Sequence, residues 1–188
     1  MRIKKELVLL GFLLISFFIF SLSNTIANNN KYFIRGDISN VKAVLYNFDD
    51  KNDKYILQNL VKAIEEYKDV PYRYGDSSET GFDCSGFVAL VYRKFFNLKL
   101  PRGSRNIYKY GHFVPKNKLR PGDLLFFRMG KNIGHVGIYL GYGYFVSAES
   151  HKGKIGISHL DSIYWKKKYV GAKRILTIKY YLEPRILN

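Results

Sequence analysis

The chain has 188 residues, 47% apolar and 24% charged, which suits one globular domain with a targeting segment and excludes wholesale disorder. A single cysteine excludes an internal disulfide and a four-cysteine zinc site. With 31 Lys and Arg against 15 Asp and Glu, the formal charge of +16 points to an anionic partner (nucleic acid, acidic lipid or wall polymer) or to a merely solvated basic surface.

Residues 1–27 read as an export signal. Arg2, Lys4 and Lys5 precede a 16-residue apolar and small stretch, Leu7 to Leu22, and Thr25-Ile26-Ala27 offers a small-x-small cleavage point. A membrane span needs about 20 apolar residues, so a cleaved signal peptide is expected, with an uncleaved membrane anchor as the alternative. Cleavage leaves 28 basic against 14 acidic side chains, so a charge of +14 stays with the folded part. Export argues against nucleic acid as partner. Lys166-Lys167-Lys168 is the densest basic cluster, and no longer basic run exists. A free thiol kept in an exported protein suggests use.

Residues 28–53 have weak periodicity and a polar, charged end, and read as a linker or N-terminal extension before a domain over 54–188. Ile56, Leu57, Leu60, Val61 and Ile64 predict an amphipathic helix over 54–67, stopped by Pro71. Residues 72–82 are turn-rich. Asp83 is a good N-cap for a second helix over 84–96, with Phe87, Val88, Val91 and Phe95 on one face. A short helix is expected within 103–111. After Pro121-Gly122 come strand-like runs at 124–127, 135–140, 144–148, 154–158 and 168–175, with Gly141-Tyr142-Gly143 as a hairpin loop. Helices first and strands after predict an α+β domain, its N-terminal helices packed on an antiparallel sheet of about five to six strands.

Cys84 follows Asp83 and opens the second helix. There the helix dipole and unpaired N–H groups favour a thiolate and can receive an oxyanion. Gly86, one turn in, lets another chain approach closely. The alternative, a core-filling cysteine, fits poorly with the polar Asp83-Cys84-Ser85-Gly86. A thiol nucleophile needs a base. His112 lies in a polar loop, and His151 and His159 in polar stretches. His135 starts a strand between Gly134 and Gly137, where an imidazole can project over a helix end with room for substrate.

Residues 70–175 resemble the NlpC family of papain-like cell-wall peptidases. The matching blocks are Pro71 to Gly75, Gly81 to Val88, Leu100 to Ser104, Leu119 to Phe127 and His135 to Gly141, in that order. The resemblance implies a papain-like fold and a cysteine endopeptidase that cuts peptidoglycan stems without metal or cofactor. The bond it implies lies between γ-D-glutamate and the diamino acid, a D,L bond, or at a cross-link. It aligns Cys84 with the nucleophile, His135 with the base and Tyr72 with a hydroxyl that supports the nucleophile and the oxyanion. It places Asp83, Ser85 and Ser104 at the substrate pocket. The basic surface would then hold the protein to anionic wall polymers.

One position departs. The family places a His, Asn or Gln twelve residues after the histidine to orient it, and here Ser147 stands there. Ser147 is the expected third member, with Glu149, two residues on and on the same strand face, as its rival, and His151 or water beyond them. A wall-binding module, catalytically weak or inactive, is the alternative to an enzyme. Retention of Cys84, His135 and Tyr72 together favours the enzyme.

Overall fold

A computed structural model of the protein describes residues 48–176. The expected signal peptide and most of the linker lie outside the described residues. Among those described, no helix is long and apolar enough to cross a membrane.

The first helix, α1, runs Lys51–Tyr67 and buries Ile56, Leu57, Leu60, Val61, Ile64 and Tyr67. It begins earlier than its periodicity suggests because the polar run before it carries the cap. The Asp50 carboxylate accepts from the backbone N–H of Asn52 and Asp53, at 2.8 and 3.2 Å. The turn-rich segment that follows folds into a small hairpin, β1 (Ser77–Ser78) with β2 (Gly81–Phe82). Helix α2 then spans Cys84–Phe96 and ends at Asn97 in the left-handed conformation (φ 52°).

Beyond it come α3 (Ser104–Ile107), β3 (His112–Val114) and a 3₁₀ turn at Lys116–Lys118. Four strands follow: β4 (Leu124–Met129), β5 (Asn132–Gly141), β6 (Tyr144–Glu149) and β7 (Lys154–His159). A short helix, α4 (Ile163–Lys168), leads into β8 (Tyr169–Arg174).

The sheet has six strands in the order β3-β8-β4-β5-β6-β7, every pairing antiparallel. It is the α+β sheet expected from the sequence, with two corrections. His112 lies in β3, which pairs with β8, and not in a loop. The lysine run 166–168 ends a helix capped by Ser162.

Alternation along the strands divides the core. Leu125, Phe127, Tyr139, Phe145 and Ala172 form one cluster with Trp165 of α4 and with Leu160 ahead of it. The opposite set, Leu124, Phe126, Val136, Ile138, Leu140 and Val146, is as fully buried. That face meets the helices, since α2 packs on β5 and β6, and Tyr108 at the end of α3 meets Phe126 edge-on at 5.0 Å.

One polar contact ties the sheet together at depth. The Asp123 carboxylate is 1% exposed and accepts from Arg174 Nε at 2.7 Å, Arg174 Nη2 at 2.8 Å and the Arg120 backbone N–H at 2.8 Å. Its own backbone carbonyl accepts from Tyr139 N–H at 2.8 Å, so the start of β4, the later part of β5 and the end of β8 share one anchor. Truncating Arg174 strands a buried carboxylate. Arg174→Met is expected to lower unfolding free energy by about 2 kcal/mol in urea titration, discounted because the guanidinium is partly solvated. A loss below about 0.5 kcal/mol would reduce this contact to an ordinary surface ion pair.

Candidate active site

The position of Cys84 follows from how α2 begins. Asp83 is the N-cap, and its Oδ1 accepts from Gly86 N–H at 2.7 Å and from the Ser85 hydroxyl at 2.8 Å. Its other oxygen accepts from Gly75 N–H at 3.1 Å, which fixes the preceding loop to the helix end. That loop lies so close that a Cβ on Gly86 would run into the Asp76 carbonyl oxygen. Gly86 is therefore the close-approach glycine that the sequence suggested. Asp83 and Ser85 spend their polar atoms on this cap.

From this start the thiol meets β5. β5 pairs with β4 from Asn132 to Ile138, but with β6 only from Ile138 onward. Its backbone on the β6 side is thus open at 134–136, and the thiol takes that place. Cys84 Sγ lies 3.9 Å from the Gly134 carbonyl oxygen, to which the S–H donates, and Val136 N–H donates to the sulfur. The sulfur is thereby seated against the backbone on both sides of His135. Gly137 is required in the same stretch, because a Cβ there would sit 2.6 Å from the Phe145 ring.

The thiol does not carry the low pKa expected of a helix start. Burial pushes it up to about 11. N–H groups of Val136, Ser85 and Cys84 itself work against this, while the nearby Asp83 carboxylate adds to it. Desolvation outweighs the helix end because the sulfur is shut between α2 and β5.

His135 is shifted the opposite way, down to about 4. Burial is the chief cause, and the charges of His151 and Lys168 add to it. Its imidazole lies on the Phe127 face of the sheet and stacks on the Trp165 indole, with centroids 4.9 Å apart and an interplanar angle of 22°. Phe127 touches both rings, at 5.9 Å from His135 and 4.7 Å from Trp165. Both members of the candidate pair are therefore neutral at rest.

The expected third member makes no hydrogen bond to this ring. His135 Nε2 is buried without a partner. Ser147 and Glu149 share the strand face, as expected, but the Ser147 hydroxyl turns to Glu149 Oε1 at 3.5 Å. That oxygen also accepts from Ser158 Oγ at 2.9 Å and Lys152 Nζ at 3.1 Å. Glu149 Oε2 lies 3.2 Å from His151 Nε2. Glu149 is the hub of its own cluster.

Tyr72 is brought to the site. Its backbone N–H donates to Gly153 O at 2.7 Å, and Tyr72 forms a bridge with Phe82. Burial raises the pKa of its phenol, and the adjacent Cys84 and Asp83 add to the rise. Ser104 is buried at the start of α3, which packs on α2 and β5, and Arg105 Nε donates to the Ile133 carbonyl at 3.2 Å. Trp165 escaped the sequence reading. Its signal was a Ser162 cap three residues ahead of the chain's one tryptophan, hidden by the lysines after it. Among the described residues, no group of three or more His, Cys, Asp or Glu is placed to hold a metal.

Comparison with known proteins places the chain among cell-wall hydrolases. The murein DD-endopeptidase MepS/murein LD-carboxypeptidase of Escherichia coli (strain K12) is 41% identical over 130 residues, 64% of this chain and 69% of the relative. The probable endopeptidase NlpC of the same strain is 39% identical over 122 residues, covering 64% and 79%. The crystal structure of an NlpC/P60 family protein from Bacillus cereus superposes with a TM-score of 0.59 at 31% identity, over 64% of this chain and 40% of that one. RipD from Mycobacterium tuberculosis, a non-catalytic NlpC/p60 domain protein, shares the fold at a TM-score of 0.53 and 23% identity, over 65% of this chain and 98% of its own. The NlpC/P60 family itself matches residues 69–174, more than half of the sequence and all of the site, and the chain belongs to that family.

Proposed function

We infer that the protein is an exported cysteine endopeptidase that hydrolyses peptide stems or cross-links of bacterial peptidoglycan, with Cys84 as nucleophile and His135 as base. Its place among the cell-wall hydrolases rests on the family and on relatives such as the murein DD-endopeptidase. The observation that carries the mechanism is the seat of the Cys84 sulfur against the backbone on both sides of His135.

Because thiol and imidazole both rest neutral, the proton moves during attack. Sγ bonds to the carbonyl carbon of the stem peptide as His135 takes the S–H proton. The carbonyl oxygen becomes an oxyanion, received by N–H groups at the start of α2 and by the Tyr72 hydroxyl. The imidazolium gives its proton to the leaving amine, and water then hydrolyses the thioester with His135 again as base. Ser104 lines the substrate side. Asp83 and Ser85 shape the pocket through the cap.

Both the D,L bond and the cross-link are candidate cleavage points. The basic surface, +14 after removal of residues 1–27, serves to hold the enzyme to anionic wall polymers. The rival, an inactive wall-binding module, draws support from the unpartnered His135 Nε2.

The two readings part on purified sacculi. Cys84→Ala is expected to stay folded, to pellet with sacculi less as salt rises, and to release at least about a thousandfold fewer muropeptides by mass spectrometry. Wild type releasing none would leave the binding module. Alkylation tests the proton inventory. Iodoacetamide labelling of Cys84 should be slow at neutral pH and still rising tenfold per pH unit past pH 9, with the thiol pKa near 11. A plateau reached by pH 7 would restore the thiolate. Finally, Ser147→Ala removes only one long bond to Glu149, so kcat should stay within about threefold of wild type. A tenfold loss at unchanged Tm would return the hydroxyl to the catalytic apparatus.

A further inference from the structure

An orienting residue in a thiol–imidazole site does two things: it holds the ring at one angle, and it steadies the positive charge that appears when the ring takes the proton. In this chain the imidazole has neither a carboxylate nor an amide on Nε2. It does have an indole face. Trp165 lies almost parallel to the His135 ring, at 22° and 4.9 Å.

That indole cannot drift. It is 6% exposed, held by Phe127 at 4.7 Å and by Phe145 edge-on at 5.3 Å, and its backbone N–H is tied to the Ser162 hydroxyl at 3.5 Å. Tyr164 closes against it edge-on at 4.9 Å. A ring so fixed permits His135 few other orientations. The face of an indole also attracts a cation within about 6 Å of its centre, and tryptophan does so best among aromatic side chains. The attraction is absent while the imidazole is neutral and switches on when it is protonated. It therefore favours the transition state over the ground state.

We propose that Trp165 is the positioning residue of this site, its indole face taking over the two tasks that a hydrogen-bonding third member performs elsewhere in the family. The inference rests on the reading of Cys84 and His135 as the reacting pair. No proton or electron passes through the indole. The Sγ–H proton goes to His135 and on to the leaving amine, and Trp165 acts only through the ring between. The charged groups that act on that ring are His151 after β6 and Lys168 on α4, and Glu149 on β6 lies 3.2 Å from His151. His151 and Lys168 disfavour the imidazolium, so the indole opposes them.

The test compares Trp165→Phe and Trp165→Leu in the full chain, by muropeptide release and by NMR of the His135 ring in the Cys84→Ala background. Phenylalanine keeps a smaller face and should keep kcat within about threefold. Leucine keeps apolar bulk without a face and should lower kcat about tenfold with KM little changed. The His135 ring protons should resonate upfield in Cys84→Ala through the indole ring current, and lose that shift in the leucine variant. If leucine and phenylalanine lower kcat equally, or neither lowers it, the positioning role is wrong.

Should the leucine variant unfold, the ring-proton shift in the Cys84→Ala protein still decides. Its absence refutes the stacked arrangement, and its presence with wild-type kcat in Trp165→Phe supports it. Failure of the underlying reading looks different, because Cys84→Ala would then retain muropeptide release whatever happens at Trp165.

Discussion

The Asp83 cap is the constraint on which the site depends. A helix can begin at any of several residues unless something fixes its first turn, and each one-residue shift swings a side chain by about 100° around the axis. Here one carboxylate accepts from the backbone of Gly86 inside the helix and of Gly75 outside it. Gly86 removes the only bulk that would keep residues 76–77 off the turn. With the start locked, Cys84 is directed at the stretch of β5 that β6 leaves open, and the backbone flanking His135 becomes the wall of the thiol's seat. The buried Asp123–Arg174 contact acts one level below, since it holds β4, β5 and β8 in the register that presents this stretch.

The same closeness decides the electrostatics. A helix N-terminus stabilises an anion by about 0.3–1 kcal/mol at an exposed site and somewhat more when partly buried. Full burial of an ionised group can cost several pKa units. The second effect wins at Cys84, and with the Asp83 charge beside it the thiol stays protonated. Placement and activation are therefore separate achievements. The helix end places the sulfur, and on the proposed mechanism charge arises only once a substrate carbonyl can accept the electrons as His135 accepts the proton.

Much of this was legible from the residues, and the reasons differ by part. The apolar spacing in Ile56 to Ile64 and Phe87 to Phe95 gave the helices because one buried face leaves a period in the sequence. The Asp-Cys-Ser-Gly run disclosed the cap and the close approach because each needs a particular side chain, or none. The start of α1 was hidden, since its cap, Asp50, lies in a charged run that looks like linker. β3 was hidden because two of its three residues are exposed and no alternation can show in so short a strand. The sign of the thiol's shift could not be read either, since local sequence shows the helix end but not how deeply β5 buries the sulfur.

The strain of this design is concentrated at one point. Elsewhere buried polar groups are served: Asp123 by two arginines' donors, Glu149 by two hydroxyls and an ammonium. Three buried side-chain atoms among the described residues lack a hydrogen bond. Glu149 Oε2 still has His151 at 3.2 Å, and the Tyr67 ring lies under Lys94 Nζ at 5.6 Å. His135 Nε2 has no hydrogen-bond partner, and its ring stacks on the Trp165 indole. Leaving a polar atom unpaired in the interior costs about 1–3 kcal/mol, and an apolar side chain would fill the same space at no such cost. A fold that satisfies its other buried ions so fully does not need a histidine there for packing. On the proposed mechanism the imidazole serves when protonated, and the burial that leaves it neutral at rest makes that protonation coincide with attack by the sulfur.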